Sequence, residues 1–515
     1  SFSVVERGQG VGIASDISFL LWWCVCVCVR VCAGVRVMES VLSFSVVESL
    51  WDFLGQEMRN HPFHLVLELF FVLLILYLLP QRAYRIEKKP EDLTEAEIDE
   101  LVALWEPKPL IPADAPIQHK PFRVVSSSCG ERIEVDKVQA VNFSSYNFLG
   151  FLGDEDIHAA CEKTIRKYGI GACGPRGFYG TIDVHLEEEN EAAHFMGTKE
   201  SIIYSLDFAA PSSVIPAFLK RGDIILCDEG CVQSIKVGCN LSRAKVQMFR
   251  HNDMKHLDEL LQKSVAGDAK RSRFRPLERR FIITEGLFQN YGDLAPLPEL
   301  VRLKKQYRFR LMMDDSFGVG VLGKTGRGTC EHFGVPVEDV DILTCALSNA
   351  FASMGGLCTG SHEVVDHQRL SGAGYCFSAA LPPYLATAGT EAMRKLDQHP
   401  ELCDNLQKNA RSLHQKLARV PGMASVGSEE SPIMHLRLAE SRGSREADEE
   451  LLERMVDHAL HKSGIALTVA SYSPMEVHPP PPSIRVCVCT KHTPNDLSEA
   501  AKAILEAAAS VLGSP

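Results

Sequence analysis

Short runs of β-branched and aliphatic residues recur from about residue 135 onward, separated by helical patterns. Ser201-Ile-Ile-Tyr-Ser, Asp223-Ile-Ile-Leu-Cys, Arg280-Phe-Ile-Ile-Thr, Phe309-Arg-Leu-Met-Met and Asp341-Ile-Leu-Thr-Cys each read as buried strands. Helical stretches such as 256–263 and 297–307 lie between them. Parallel strands need a crossover, usually a helix, so the alternation predicts a mostly parallel α/β sheet in a large domain over 136–385. The character changes near 386. A polar helical region over 386–417 leads into Met434-His-Leu-Arg-Leu and Ser483-Ile-Arg-Val-Cys, then a closing Ala-rich helix. That order predicts a smaller C-terminal α+β domain over 386–515.

Charge and cysteine usage exclude some functions. Lys plus Arg is 54 and Asp plus Glu is 66, a net charge of −12, which gives nucleic-acid binding no support. The basic cluster at 270–280 falls between a helical pattern and a strand and reads as a solvated loop. The 17 cysteines have no framework spacing, and Cys227, Cys345 and Cys358 sit in apolar strand contexts. They read as reduced thiols in a cytosolic setting. Cys487-Val-Cys489 lacks zinc-ligand spacing and a second ligand pair, so no metal is expected.

The N-terminal region reads differently. Residues 1–37 contain the two-residue repeat Cys24-Val-Cys-Val-Cys-Val, and Ser-Phe-Ser-Val-Val-Glu occurs at both 1–6 and 43–48. These residues are expected to be a translated upstream extension, with a signal peptide as the rival reading. Residues 38–60 carry Leu50, Trp51, Leu54 and Met58 at helical spacing, as in a helix lying on a membrane surface. Within 61–80, the apolar run from Phe63 to Leu79 would span about 25 Å as a helix, near the lower limit for a bilayer. Arg82, Arg85, Lys88 and Lys89 follow it, which predicts a single-pass anchor with everything after Pro80 in the cytosol. A buried core helix is the alternative, and Glu68 is costly in a span. Within 81–135, Thr94-Glu-Ala-Glu97 predicts a capping box for a helix through Trp105, and Pro107, Pro109 and Pro112 predict a linker.

Gly318-Val-Gly-Val-Leu-Gly-Lys-Thr325 matches both the phosphate loop of nucleotide hydrolases and the dinucleotide fingerprint. Both motifs aim a helix N-terminus at phosphates. Here Gly326 and Gly328 oppose a helix start, and Asp314 and Asp315 would repel phosphates. A nucleotide-binding protein is therefore the weakest reading.

Several segments occur in one fixed order. They are Asn142-Phe-Ser-Ser-Tyr-Asn-Phe-Leu-Gly150, Tyr168-Gly-Ile-Gly-Ala-Cys-Gly-Pro-Arg-Gly177, Asp228-Glu-Gly-Cys-Val-Gln-Ser234, Glu285-Gly-Leu-Phe with Gly292-Asp-Leu-Ala-Pro-Leu297, and Asp314-Asp-Ser-Phe-Gly. The Gly326-Arg-Gly turn, Phe377-Ser-Ala-Ala-Leu-Pro-Pro383 and Ser483-Ile-Arg-Val486 follow. In this order and spacing they resemble the α-oxoamine synthases, fold-type I pyridoxal-phosphate (PLP) enzymes that join an amino acid to an acyl-CoA. The resemblance runs from about Asn142 to the C-terminus. Gly171 to Thr181, His251-Asn-Asp-Met, Asp366 to Ser378 and Pro479 to Arg485, with a membrane helix ahead of the fold, narrow it to the first, non-catalytic long-chain-base subunits of serine palmitoyltransferases.

The resemblance implies roles for particular residues. Asn349, in Leu347-Ser-Asn-Ala-Phe-Ala-Ser-Met-Gly-Gly356, stands where active members have the lysine whose amine forms the Schiff base. An amide nitrogen is not nucleophilic and cannot. Val232 stands at the ring-stacking histidine, Cys231 at a neighbouring asparagine, and Phe317 at a second histidine. Asp314 matches the carboxylate that pairs with the pyridine nitrogen and is read as vestigial, with a strand-end cap as its structural alternative. Phe377 and Ser378 match a segment that reaches toward the neighbouring subunit's cofactor phosphate. Cys173, Arg176 and Tyr179 fall near the shared interface. Arg485 matches the arginine that holds the substrate carboxylate.

These losses touch separate chemical roles and imply a site retired as a whole. The implied function is a membrane-anchored, non-catalytic subunit at the endoplasmic reticulum. It would form a heterodimer with a catalytic long-chain-base subunit that holds PLP, with small activating subunits and Orm-type regulators as further partners. The alternative is a self-sufficient PLP-dependent acyltransferase using another lysine, of which Lys324 is nearest in sequence.

Overall fold

The computed structural model describes residues 70–77, 93–106, 110, 122–266, 278–472, 476 and 478–513. The chain divides into two compact units, residues 1–119 and 120–515.

In the first unit, residues 70–77 are helical, and Phe70, Phe71, Leu73, Leu76 and Tyr77 are exposed there. Among the described residues no helix is long and apolar enough to cross a membrane. The expected extension at 1–37, the surface helix at 38–60 and most of the span at 61–80 lie outside the described residues. The helix Glu95–Leu104 starts with the expected capping box. The Thr94 hydroxyl accepts from the Glu97 amide, and the Glu97 carboxylate accepts from the Thr94 amide.

The second unit starts with a hairpin of β1 (Arg132–Val135) and β2 (Val138–Asn142). Seven strands then build the main sheet. They are β3 (Glu200–Tyr204), β4 (Ile224–Asp228), β5 (Lys245–Phe249), β6 (Arg280–Glu285), β7 (Arg310–Asp314), β8 (Ile342–Ala346) and β9 (Gly356–Gly360). Their spatial order is β3-β9-β8-β7-β6-β4-β5. All pairings are parallel except those of β9, which runs against both neighbours. The mostly parallel α/β sheet is therefore present. Strands β4 and β8 are buried at every position and β6 and β7 at all but the first, which is why they read as continuous apolar runs.

The 386–417 region is two helices, Pro383–Gln398 and Glu401–Lys416. Pro400 has no N–H to extend the first, and it pushes His399 out of the helical region, to φ −127° and ψ 59°. Beyond them, β10 (Met423–Val426), β11 (Ile433–Leu438), β13 (Thr468–Val469) and β14 (Ser483–Cys487) form a second sheet, while β12 (Ile465–Ala466) joins β2 in parallel. Met434, Leu436, Ile484 and Val486 face a separate core with the helices Arg445–Ser463 and Pro494–Leu512. Alternation then places His435, Arg437, Ser483 and Arg485 on the opposite face.

Candidate functional site

The C-terminal ends of β4, β6 and β7 deliver three carboxylates to one place. Asp228, Glu285 and Asp314 are all buried. In an open parallel sheet, ligand crevices form at this end of the strands. A cavity of about 520 Å³ lies there, and Tyr146, Asp207, Val232, Asp314, Phe317 and Asn349 are among its lining residues. Four positions singled out from the sequence, Val232, Asp314, Phe317 and Asn349, thus share one cavity.

Each is fixed by local structure. Asn349 lies in the turn between β8 and β9, and its Nδ2 donates to the Ser316 carbonyl at 2.8 Å. Val232 caps the helix Gln233–Ser242, and its amide donates to Glu285 Oε1 at 2.6 Å. Gln289 donates its amide to the other Glu285 oxygen at 3.1 Å. Phe317 meets the Tyr146 ring edge-on, with centroids 4.9 Å apart. Asp314 accepts from the Thr344 hydroxyl at 2.6 Å and the Ser316 amide at 3.2 Å. Burial raises the pKa of both Asp314 and Glu285, and the Asp314 charge adds to the rise at Glu285.

Asp228 is answered differently. His251 places Nδ1 2.9 Å from Asp228 and Nε2 3.1 Å from Asp293, and its ring stacks on Tyr291 at 3.9 Å. Burial alone would lower the imidazole pKa. The two hydrogen-bonded carboxylates outweigh it and lift it to about 9. A Cβ at Gly230 would come 2.4 Å from His251 Nδ1, so glycine is required beneath the ring. His251 occurs in a motif singled out from the sequence, but its link to Asp293 spans 42 residues and has no local signal.

A cofactor held through a Schiff base needs an amine in this cavity. No lysine or arginine lines it among the described residues, and the ring-stacking position is the aliphatic Val232. The Asp314 oxygens are already engaged by Thr344 and Ser316. The residues present do not fit a covalently held PLP. Lys324, the alternative lysine, is exposed on another loop and does not line the cavity.

The remaining positions lie outside the cavity lining. In the turn 169–181, Arg176 points inward and makes two 2.9 Å bonds to Glu189. Tyr179 has φ 63° and is fully exposed, and Cys173 has φ 55° and is exposed. A Cβ at Gly180 would sit 1.9 Å from the Gly174 carbonyl oxygen, so this turn requires glycine there. Phe377 is exposed. The Ser378 hydroxyl donates to the Gly374 carbonyl at 2.5 Å and lies 3.2 Å from the Ser205 hydroxyl. Arg485 stands behind Tyr146, with Cζ 4.5 Å from the ring centre.

The 318–325 loop does not open a helix. The next helix is the five-residue Thr329–Phe333, after Gly326 and Gly328 at φ +79° and +84°. The Glu331 carboxylate accepts from the Thr325 amide and hydroxyl and the Arg327 amide. Donors a phosphate would need are engaged by a carboxylate.

The family model for aminotransferase class I and II matches residues 138–504. Long chain base biosynthesis protein 1b of Oryza sativa subsp. japonica is 44% identical over 449 residues, 87% of this chain and 92% of that protein. Serine palmitoyltransferase 1 of Dictyostelium discoideum is 41% identical over 449 residues, 85% of this chain and 92% of that protein. A solved serine palmitoyltransferase from S. paucimobilis, bound to a PLP–myriocin aldimine, matches with a TM-score of 0.68 at 26% identity, covering 76% of this chain and 93% of that one. The chain belongs to the class I and II aminotransferase family, within its group of serine palmitoyltransferase 1 and long chain base biosynthesis protein 1 sequences.

Proposed function

We propose that this chain is the non-catalytic, membrane-anchored subunit of a serine palmitoyltransferase. A catalytic long-chain-base partner would hold PLP and condense L-serine with palmitoyl-CoA to 3-ketosphinganine, the first step of sphingolipid synthesis. The reading rests on one observation above the others: Asn349, not lysine, occupies the cavity, with its amide nitrogen held by Ser316. The turn carrying Cys173 and Tyr179 and the segment carrying Phe377 and Ser378 supply the face toward the partner in this reading. Its setting is the endoplasmic reticulum membrane, with the folded part in the cytosol and small activating subunits and Orm-type regulators as further partners.

Co-expression tests this. Membranes carrying both subunits should form 3-ketosphinganine, and this chain alone should form none. Activity from this chain alone, or a partner fully active and stable without it, would sink the proposal.

A further inference from the structure

The helix Asp183–Met196 follows the glycine-rich turn 169–181. Two of its buried polar side chains tie it to two different segments. Glu189 takes both bonds from Arg176 and so holds the turn. His185 is fully buried, and its ring bridges two backbone groups. The Ile182 amide donates to Nδ1 at 3.0 Å, so the imidazole plays the part that a glutamate plays in a capping box. A ring nitrogen that accepts carries no proton, so the proton of the neutral imidazole is on Nε2. Nε2 therefore donates to the Leu381 carbonyl, 2.6 Å away and 196 residues later in the chain. Both bonds require this one tautomer, because an imidazolium would set an N–H against the Ile182 N–H. Burial holds the pKa of His185 below its ordinary value, which keeps the ring neutral.

Leu381 closes the segment that carries Phe377 and Ser378. That segment also meets the turn directly. The Ala380 amide donates to the Gly174 carbonyl at 2.8 Å, and the Arg176 guanidinium lies 5.4 Å from the centre of the Tyr375 ring, two residues before Phe377. A Cβ at Gly174 would come 2.8 Å from the Phe178 carbonyl oxygen, so the turn is close-packed where it receives the segment. Both segments present large exposed side chains, Phe178 and Tyr179 on the turn and Phe377 beyond it, of the kind a protein partner covers. The first turns of one helix thus anchor both: Glu189 holds the glycine-rich turn through Arg176, and His185 holds the other segment through Leu381.

We infer that His185 is a positioning residue for the partner-facing surface. Its Nε2–H tautomer locks the Phe377–Ser378 segment against the 169–181 turn, so that a partner meets the two as one surface. The partner's presence rests on the subunit reading, whereas the lock draws only on residues of this chain.

Two substitutions separate the ring's two bonds. His185→Asn keeps an acceptor near the place of Nδ1 and loses the reach to Leu381, whereas His185→Gln keeps that reach and gives up the Ile182 amide. Hydrogen exchange on the purified full chain reads the lock. In His185→Asn the Ala380 amide should exchange about tenfold faster, with β6 and β7 unchanged. In His185→Gln the Ala380 amide should stay protected while the Ile182 amide speeds up, which serves if the asparagine variant fails to fold. An Ala380 amide that is unchanged in His185→Asn, or released in His185→Gln, would overturn the inference. So would faster exchange at every amide alike, which is the mark of a residue that only stabilises the fold. Co-purification with the catalytic partner from membranes reads the surface. His185→Asn should retain the partner about tenfold less well than the unmodified chain, and His185→Gln should retain it better than His185→Asn. Equal retention by all three would overturn the positioning role. An unmodified chain that retains no partner would instead sink the subunit reading, and the exchange result would still decide the lock.

Discussion

At the floor of the cleft, Asp228, Glu285 and Asp314 each collect donors from their own chain, while on the C-terminal sheet Arg437 and Arg485 collect one carbonyl apiece. Asp228 has an imidazole and two backbone amides, Glu285 two amides, and Asp314 a hydroxyl and an amide. The floor carboxylates are each met by donors of this chain, Asp228 by an imidazole whose pKa is raised and Glu285 and Asp314 by neutral amides and a hydroxyl. The two arginines each keep an Nε without a partner. Both arginines are half-buried, so water still screens part of their charge. The floor carries Asn349 and Val232, while each arginine on the other face keeps an Nε without a partner.

Substitutions at the floor should therefore destabilise. The largest effect is expected at His251→Ala, which strips the cation from buried Asp228 and should cost about 3 kcal/mol in denaturant unfolding at neutral pH. Because the folded pKa of His251 is raised to about 9, its contribution is complete below its ordinary value of 6.5 and is lost as pH rises toward 9. The unmodified chain should lose stability across that window, and the variant should lose much less. Parallel pH profiles would show that His251 is not the charged partner of Asp228. Thr344→Val comes next. It keeps the side chain's shape but removes the hydroxyl that donates to Asp314 at 2.6 Å, and about 1–3 kcal/mol should be lost. A negligible change would mean that Asp314 does not depend on this donor.

Much of the frame was legible because buried parallel strands announce themselves. β4, β6, β7 and β8 are apolar runs closed by turn residues. β5 was not, because this edge strand alternates polar and apolar residues and is only partly buried. β9 hid because it begins and ends in glycine. In the site, the gathering of Asn349, Val232, Phe317 and Asp314 followed from ordered motifs in the sequence. The polar partners did not. His435 meets Gln289 across 146 residues and Arg437 meets Asn290 across 147, and no periodicity or spacing encodes such pairs. Arg176 shows the same limit: the glycine-rich turn was visible, but not that its guanidinium turns inward to Glu189.

The smallest change, and the one that separates the two regions most sharply, is expected at Arg437→Met. Methionine keeps much of the apolar stem and removes the charge. The losses are one hydrogen bond from a charged donor, about 1.5–3 kcal/mol, and the contact with Tyr291, about 1 kcal/mol. The gain is relief of a half-buried guanidinium without a carboxylate partner among the described residues, a part of the several kcal/mol that full burial would cost. The terms nearly cancel, so in chloride buffer the variant should be within about 1 kcal/mol of the unmodified chain, or more stable. If Arg437→Met instead costs as much as His251→Ala in chloride, the arginine face is as self-sufficient as the floor and the contrast between them is gone.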